Sequence, residues 1–280
     1  NRVGWRGAYL ALAVVIVTVP TTLVLLFMHK KPVDKGLSIE DEAPLWRKRA
    51  ESGSADGEPE RNRRREVVVV DRSWAEIEWT VGRSIRTFRF WALTLVMAMF
   101  AAGFLMISVQ LVAYLTDEGF SPVLAASVVG VQGFINIIGR FSGGWLSDRI
   151  GREKTLTLSV VSFVICLMLL KTAGAIANPI LAYTFAIFYG MGSGMTLPVL
   201  MAAAADLFQG KHFGSILGVV TLGGFTGGAL GAWLGGHFFD LTQAYDVNFL
   251  AAALVMFVSA ALIWKARPSR IRQVRVAVMN

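Results

Sequence analysis

Seven apolar stretches of about 20 residues, separated by short clusters of charge, constrain this chain more than any other feature. They run approximately over Gly7 to Met28, Phe90 to Leu115, Val123 to Leu146, Leu156 to Leu170, Ile180 to Ala203, Ile216 to Phe239 and Phe249 to Trp264. A helix of that length spans roughly 30 Å of hydrocarbon. In lipid every backbone N–H and C=O needs a partner inside the protein, and these stretches lack the alternation of barrel strands, so helices are the reading. Composition agrees: 55% of residues are hydrophobic and 16% charged, well below the charged share of soluble domains. The expected fold class is all-α, a polytopic membrane protein of about seven transmembrane helices.

The net charge of +8 would suit nucleic acid, but the basic residues sit at the ends of the apolar stretches, where they read as topology signals. No nucleic acid partner is expected; the lipid bilayer is. Lys30, Lys31, Arg83, Arg86 and Arg89 flank the segment after the first stretch. Arg149, Arg152 and Lys154 follow the third, Lys211 the fifth, and Lys265, Arg267, Arg270, Arg272 and Arg275 the last. The alternate connections carry Asp117 and Glu118, Lys171, and Asp240 and Asp246. The first group is expected in the cytoplasm, which puts Asn1 outside and implies an odd number of helices before it; five would make twelve. A truncated sequence is therefore expected, with an integral protein of the plasma (inner) membrane as its source.

Residues 29–88 form the one soluble stretch, rich in Glu, Arg, Ser and Gly around Glu51 to Arg65, with nothing to build a core. Near its end Trp74, Ile77, Val81, Ile85 and Phe88 recur at helical spacing. They predict an amphipathic helix, either on the membrane surface or packed on the bundle. The expected divisions are 1–28, a helix belonging with a preceding half; 29–88, a central cytoplasmic loop with an amphipathic helix; 89–268, a six-helix unit; and 269–280, a cytoplasmic tail. Cys166, the single cysteine, lies inside an apolar run and reads as a packing residue.

One connection carries more than anchoring charge. Gly144, Asp148, Arg149, Gly151, Arg152 and Lys154, between the third and fourth stretches, combine turn-forming glycines with an acid and three bases. Position by position the run resembles the signature of the Major Facilitator Superfamily: Gly, three residues, Asp, Arg, one residue, Gly, Arg, one residue, Lys. Gly4-Trp5-Arg6 looks like the entrance to that family's sixth helix, and the last six stretches look like its C-terminal half, so the chain would comprise helices 6–12. Asp206-Leu207-Phe208 with Phe213-Gly214 and Gly218, and Phe239-Asp240 with Tyr245, look most like the monocarboxylate and oxalate–formate exchanger branches. The resemblance implies a gate in which the motif's acid meets a helix N-terminus and its bases pair with neighbouring acids, bracing the outward-open state. Asp148 would then face the helix beginning near Ser215, an interaction worth about 0.3–1 kcal/mol. Positive-inside anchoring alone would account for the bases, but not for Asp148 or the glycines.

Arg140 lies eight positions before Asp148, hence about 12 Å deeper along a helix and near the bilayer midplane. A charge there costs about 2.5–3.5 kcal/mol, so it should face an aqueous cavity or a partner. A substrate carboxylate and carbonyls of neighbouring helices are the two readings. In the monocarboxylate branch the matching Arg binds the substrate and an Asp stands one turn before it; here that position is Asn136, which cannot exchange a proton. The exchanger branch also places a Lys in its eleventh helix, and Val219 to Gly228 has none, which favours a monocarboxylate. Gln132 and Gln110 are further cavity candidates, with a hydrogen bond across helices as the alternative for either.

Gly223, Gly227, Gly231 and Gly235 form a four-residue stripe for close helix packing. Gly190, Gly192 and Gly194 with Pro198 interrupt the pattern of the fifth of the seven helices and predict a bend point beside the cavity. No paired acid–base or metal-ligand groups lie at membrane depth, so neither an enzyme nor a cofactor or metal is expected. The expected function is secondary transport of a small organic anion, a symporter or antiporter of a monocarboxylate, by alternating access with the missing N-terminal half. Transport of a neutral or cationic solute and a non-transporting receptor are the alternatives.

Overall fold

The computed structural model describes residues 66–275, together with 14, 17–19 and 21–22 of the first apolar stretch. Residues 1–60 form one unit, whose described residues are helical. The signals read at Gly4 to Arg6 and over residues 29–65 lie outside the described residues. The second unit, residues 61–280, holds all the other described residues.

In this second unit six helical spans are long and apolar enough to cross a membrane. The first is α3 (Phe88–Ser108) continued by α4 (Leu111–Asp117); then come α5 (Pro122–Ile150), α6 (Arg152–Ala175), α7 (Pro179–Phe208), α8 (Phe213–Thr242) and α9 (Asp246–Ala266). Local chemistry sets their starts. Ser121 and Asn178 accept hydrogen bonds from the N–H groups of Leu124 and Ile180, each followed by Pro at the first helical position, and Thr87 caps α3 through Phe90. Between α5 and α6 the chain turns on Gly151 at φ 97°, a conformation that glycine adopts without strain.

α5 packs on α7, α7 on α6, α6 and α3 on α9, and α3 on α8. This ring stays open between α5 and α8. Both long contacts next to the opening depend on glycine. A Cβ on Gly227 or Gly231 would run into the backbone of Ala98 or Ala102 on α3, and one on Gly223 or Gly235 would meet Thr94 or Met106. The stripe on α8 thus lies against a matching four-residue series on α3. Gly139 and Gly143 of α5 meet the backbone at Met191, Gly194 and Met195, while Gly190 and Gly194 of α7 meet that at Gln132 and Asn136. α7 is continuous from Pro179 to Phe208 with Pro198 inside it, and its three glycines Gly190, Gly192 and Gly194 each lie close to the backbone of a neighbouring helix. A break falls in the first span, at Val109 and Gln110, which apolarity alone did not mark.

The amphipathic helix expected over residues 74–88 is likewise two short ones, α1 (Arg72–Ala75) and α2 (Val81–Ser84). Trp74 and Trp79 turn inward onto Phe208 at the end of α7, with ring centroids 6.3 and 5.2 Å from it. The indole of Trp74 donates to the Leu207 carbonyl at 2.7 Å, one of the last four carbonyls of α7, which have no partner within the helix. Before α1, β1 (Glu66–Val69) pairs antiparallel with β2 (Arg272–Arg275), Glu66 opposite Arg275 and Val69 opposite Arg272. This short ladder lies outside the spans and ties the segment before α1 to the one after α9.

Candidate transport site and gate

α3, α5, α7 and α8 line an open cavity of about 670 Å³, with Phe100, Phe104, Leu197, Leu200, Met201 and Phe225 among its walls. Its lining is largely apolar, and among the described residues Arg140, on α5, is the one charged residue in it. The Nε of Arg140 donates to Asn136 Oδ1 at 3.1 Å; Asn136 Nδ2 donates to Ser193 Oγ on α7 at 2.8 Å; Ser193 donates to the Gly190 carbonyl at 3.2 Å. The relay orients the amide, because its oxygen must face the guanidinium and its NH2 the hydroxyl. Among the described residues no carboxylate pairs with Arg140, and the amide holds it in place without neutralising it. Gln132, almost fully buried, lines the same cavity.

Gln110 does not. It sits at the break between α3 and α4, where its Oε1 accepts from Asn248 Nδ2 of α9 at 2.6 Å, and Asn248 also donates to the Gly235 carbonyl at 3.0 Å. The interrupted helix and the buried amide pair belong together, since a break frees polar backbone and brings in polar side chains. Ser193 was missed in the sequence, where a serine among glycines in an apolar run reads as one more small packing residue.

At the end of the bundle bearing the basic connections, Arg152 is buried among acids. Its Nη1 lies 2.6 Å from Asp148 Oδ1 and 2.9 Å from Ser147 Oγ, and its Nε is 2.9 Å from Asp206 Oδ2. Asp148 and Asp206 occupy the last turns of α5 and α7, where the helix dipole disfavours an anion, and Arg152 opens α6, where it disfavours a cation. Each charge is placed against its own helix and is stabilised by the others. That conflict was the sequence signal for Asp206: an acid ending an apolar helix needs a cation. The acid read in the motif, Asp148, is engaged by Arg152, which also holds Asp206 of α7.

The other motif residues divide by role. Arg149 lies over the Trp145 ring at 3.9 Å, and Lys154 is exposed. A Cβ on Gly144 would meet nothing within 4 Å, whereas its neighbour Gly143 is pressed onto Met195. Glu153, buried beside Arg152, accepts from the backbone N–H and Oγ of Ser269 at 3.0 and 2.7 Å, which ties the chain after α9 to the motif. His237, at the other end of α8, stacks on Trp233 at 5.2 Å. No group of three metal-binding side chains occurs among the described residues.

The family model described as Major Facilitator Superfamily matches residues 1–204 and 172–277. Among curated proteins, monocarboxylate transporter 13 of Bos taurus is 28% identical over 61% of this chain and 40% of its own length. The oxalate:formate antiporter of Oxalobacter formigenes is 24% identical over 77% of this chain and 50% of its own, and the gallate transporter of Pseudomonas putida is 27% identical over 56% and 33%. The chain thus spans half or less of the length of these relatives. A crystal structure of an auto-inhibited POT family peptide transporter superposes with a TM-score of 0.55 at 16% identity, over 69% of this chain and 39% of that one, a likeness of fold. With a family match of this extent on six spanning helices, this chain belongs to the Major Facilitator Superfamily of integral membrane transport proteins.

Proposed function

We propose that the carrier moves a small organic anion, a monocarboxylate, by alternating access, and that this chain supplies one wall of its site. The observation that supports this is Arg140: an unneutralised guanidinium, held through Asn136, in a cavity that is otherwise mainly apolar. A carboxylate would meet the charge, and the body of the acid would meet Phe100, Phe104 and Phe225. One cation suits one carboxylate; a dicarboxylate would need a second. The names of the relatives, which include transporters of monocarboxylates and of gallate, point the same way. Gln132 joins the site as a neutral polar group, while Gln110 acts in helix packing. The Asp148, Arg152 and Asp206 cluster acts as the gate, with Arg149 and Lys154 at the cytoplasmic surface of the plasma (inner) membrane.

Uptake of radiolabelled lactate, pyruvate, formate and oxalate into proteoliposomes carrying the full-length protein, beside its Arg140→Gln variant, tests the proposal. Uptake of a monocarboxylate is expected, with a loss of roughly ten- to 100-fold in the variant, the scale of a hydrogen bond to a charged group. If folded wild-type protein moves none of the acids, the carboxylate assignment is wrong and the cargo is a neutral or cationic solute.

A further inference from the structure

A second cleft, of about 570 Å³, opens where the start of α3 meets the end of α9. Arg89, Lys265, Arg267 and Arg270 line it with Phe88 and Trp264. Arg267 adopts the left-handed conformation (φ 47°, ψ 60°) that ends α9, and its Nε donates to the Trp264 carbonyl at 3.2 Å, so its guanidinium is folded back onto the helix end. Arg89 lies 4.1 Å from the centre of the Trp74 ring. Trp264 is held by its indole, which donates to Thr157 Oγ1 of α6 at 2.9 Å. The acid whose field reaches Arg89 is Asp71, whose carboxylate is already engaged by Ser73 and the N–H of Trp74.

None of the four cations forms an ion pair among the described residues, in contrast to Arg152 at the same end of the bundle. Four like charges on one cleft repel one another, and an anion offsets that cost. Orienting the protein in the membrane requires only that cations lie near the surface, not that they converge. The cleft is also distinct from the transport cavity, to which α9 contributes nothing. From it an exposed apolar stripe descends α9: Trp264, Phe257, Leu254 and Leu250, 46%, 70%, 58% and 64% exposed, at spacings that keep them on one face. A charged head above a lipid-facing stripe matches an amphiphile better than a soluble anion.

We propose that this cleft binds the phosphate headgroup of an anionic membrane lipid, with its acyl chains along the outer face of α9. Native mass spectrometry of the full-length protein with equimolar phosphatidylglycerol and phosphatidylcholine tests it. The wild type is expected to retain phosphatidylglycerol preferentially, and the Lys265→Gln/Arg267→Gln/Arg270→Gln variant to bind it roughly 100-fold more weakly, at about fivefold per cation. If the triple variant does not fold, Arg270→Gln alone carries the test with about a fivefold loss. Lys211→Gln, which removes an exposed cation at the same end but outside the cleft, should leave retention unchanged. Equal retention of the two lipids, undiminished retention in the cleft variants, or a matching loss in Lys211→Gln would overturn the proposal. So would displacement of the lipid by glycerol 3-phosphate at equal concentration, which would identify a site for soluble phosphate.

Discussion

Asn136 differs by one atom from the aspartate that the resembling branch carries, and the difference decides what its neighbour can do. An aspartate would form an ion pair with Arg140 and compete with any anion for it, whereas the amide orients the guanidinium through a 3.1 Å bond and leaves the charge in place. Asn136→Asp should therefore weaken substrate binding. At pH 7 the KM for the transported acid should rise by roughly tenfold or more, the scale of a charge-assisted hydrogen bond lost to a competing carboxylate. A KM that does not move at pH 7 would show that Arg140 does not hold the anion. The residue type was plain in the sequence; that Asn136 also reaches Ser193, and so points its oxygen at Arg140, was not.

Among the elements, α8 has the clearest division of faces. Gly227 is pressed onto the Ala98 backbone of α3, whereas Gly236 on the same helix has open space where a Cβ would stand. Gly227→Ala is expected to destabilise the fold by about 1–3 kcal/mol, because a backbone cannot move aside as a flexible side chain can. Gly236→Ala should be neutral or slightly stabilising, given alanine's higher helix propensity. Thermal aggregation of detergent-solubilised protein distinguishes them, and equal midpoints would mean that the stripe does not set the spacing of α3 and α8. The four-residue period was visible in the sequence, but its partner was not, because Thr94, Ala98, Ala102 and Met106 carry no comparable signature. The same limit explains α1 and α2. Helical spacing from Trp74 to Phe88 predicted one amphipathic helix, yet the pull of Phe208 on two tryptophans and the need of the Leu207 carbonyl for a donor bend the segment under α7.

For the whole molecule, Asp148 and Asp206 lie on α5 and α7, two of the helices that line the cavity, and the proposed gate would open by drawing them away from Arg152 of α6. A cysteine at Phe225, on the cavity wall and 73% exposed, reports that opening. Cys166 is fully buried and contributes little background. In sealed inside-out vesicles carrying the full-length protein, Phe225→Cys should react slowly with an impermeant maleimide, and adding Asp148→Asn should speed the reaction several-fold, as expected on losing about 1 kcal/mol or more of closure. An unchanged rate would remove Asp148 from the gate. Acceleration from the opposite face alone would reverse the assigned orientation.

The spans and their ends were legible from the sequence because lipid imposes a local rule: each crossing segment must satisfy its own backbone and present apolar side chains over a fixed length. The charged turn around Gly151 was legible for a similar reason, since glycines and charges at one turn are a local pattern. Other features depend on which helices touch. The ring that opens between α5 and α8, the partner of Gln110 in Asn248, the Arg152 cluster with Asp206, and the Glu153–Ser269 link all join residues far apart in the chain. Hydrophobicity says little about such pairings in a membrane, where lipid is as good an apolar neighbour as protein, and close packing of small residues and polar contacts decide them instead.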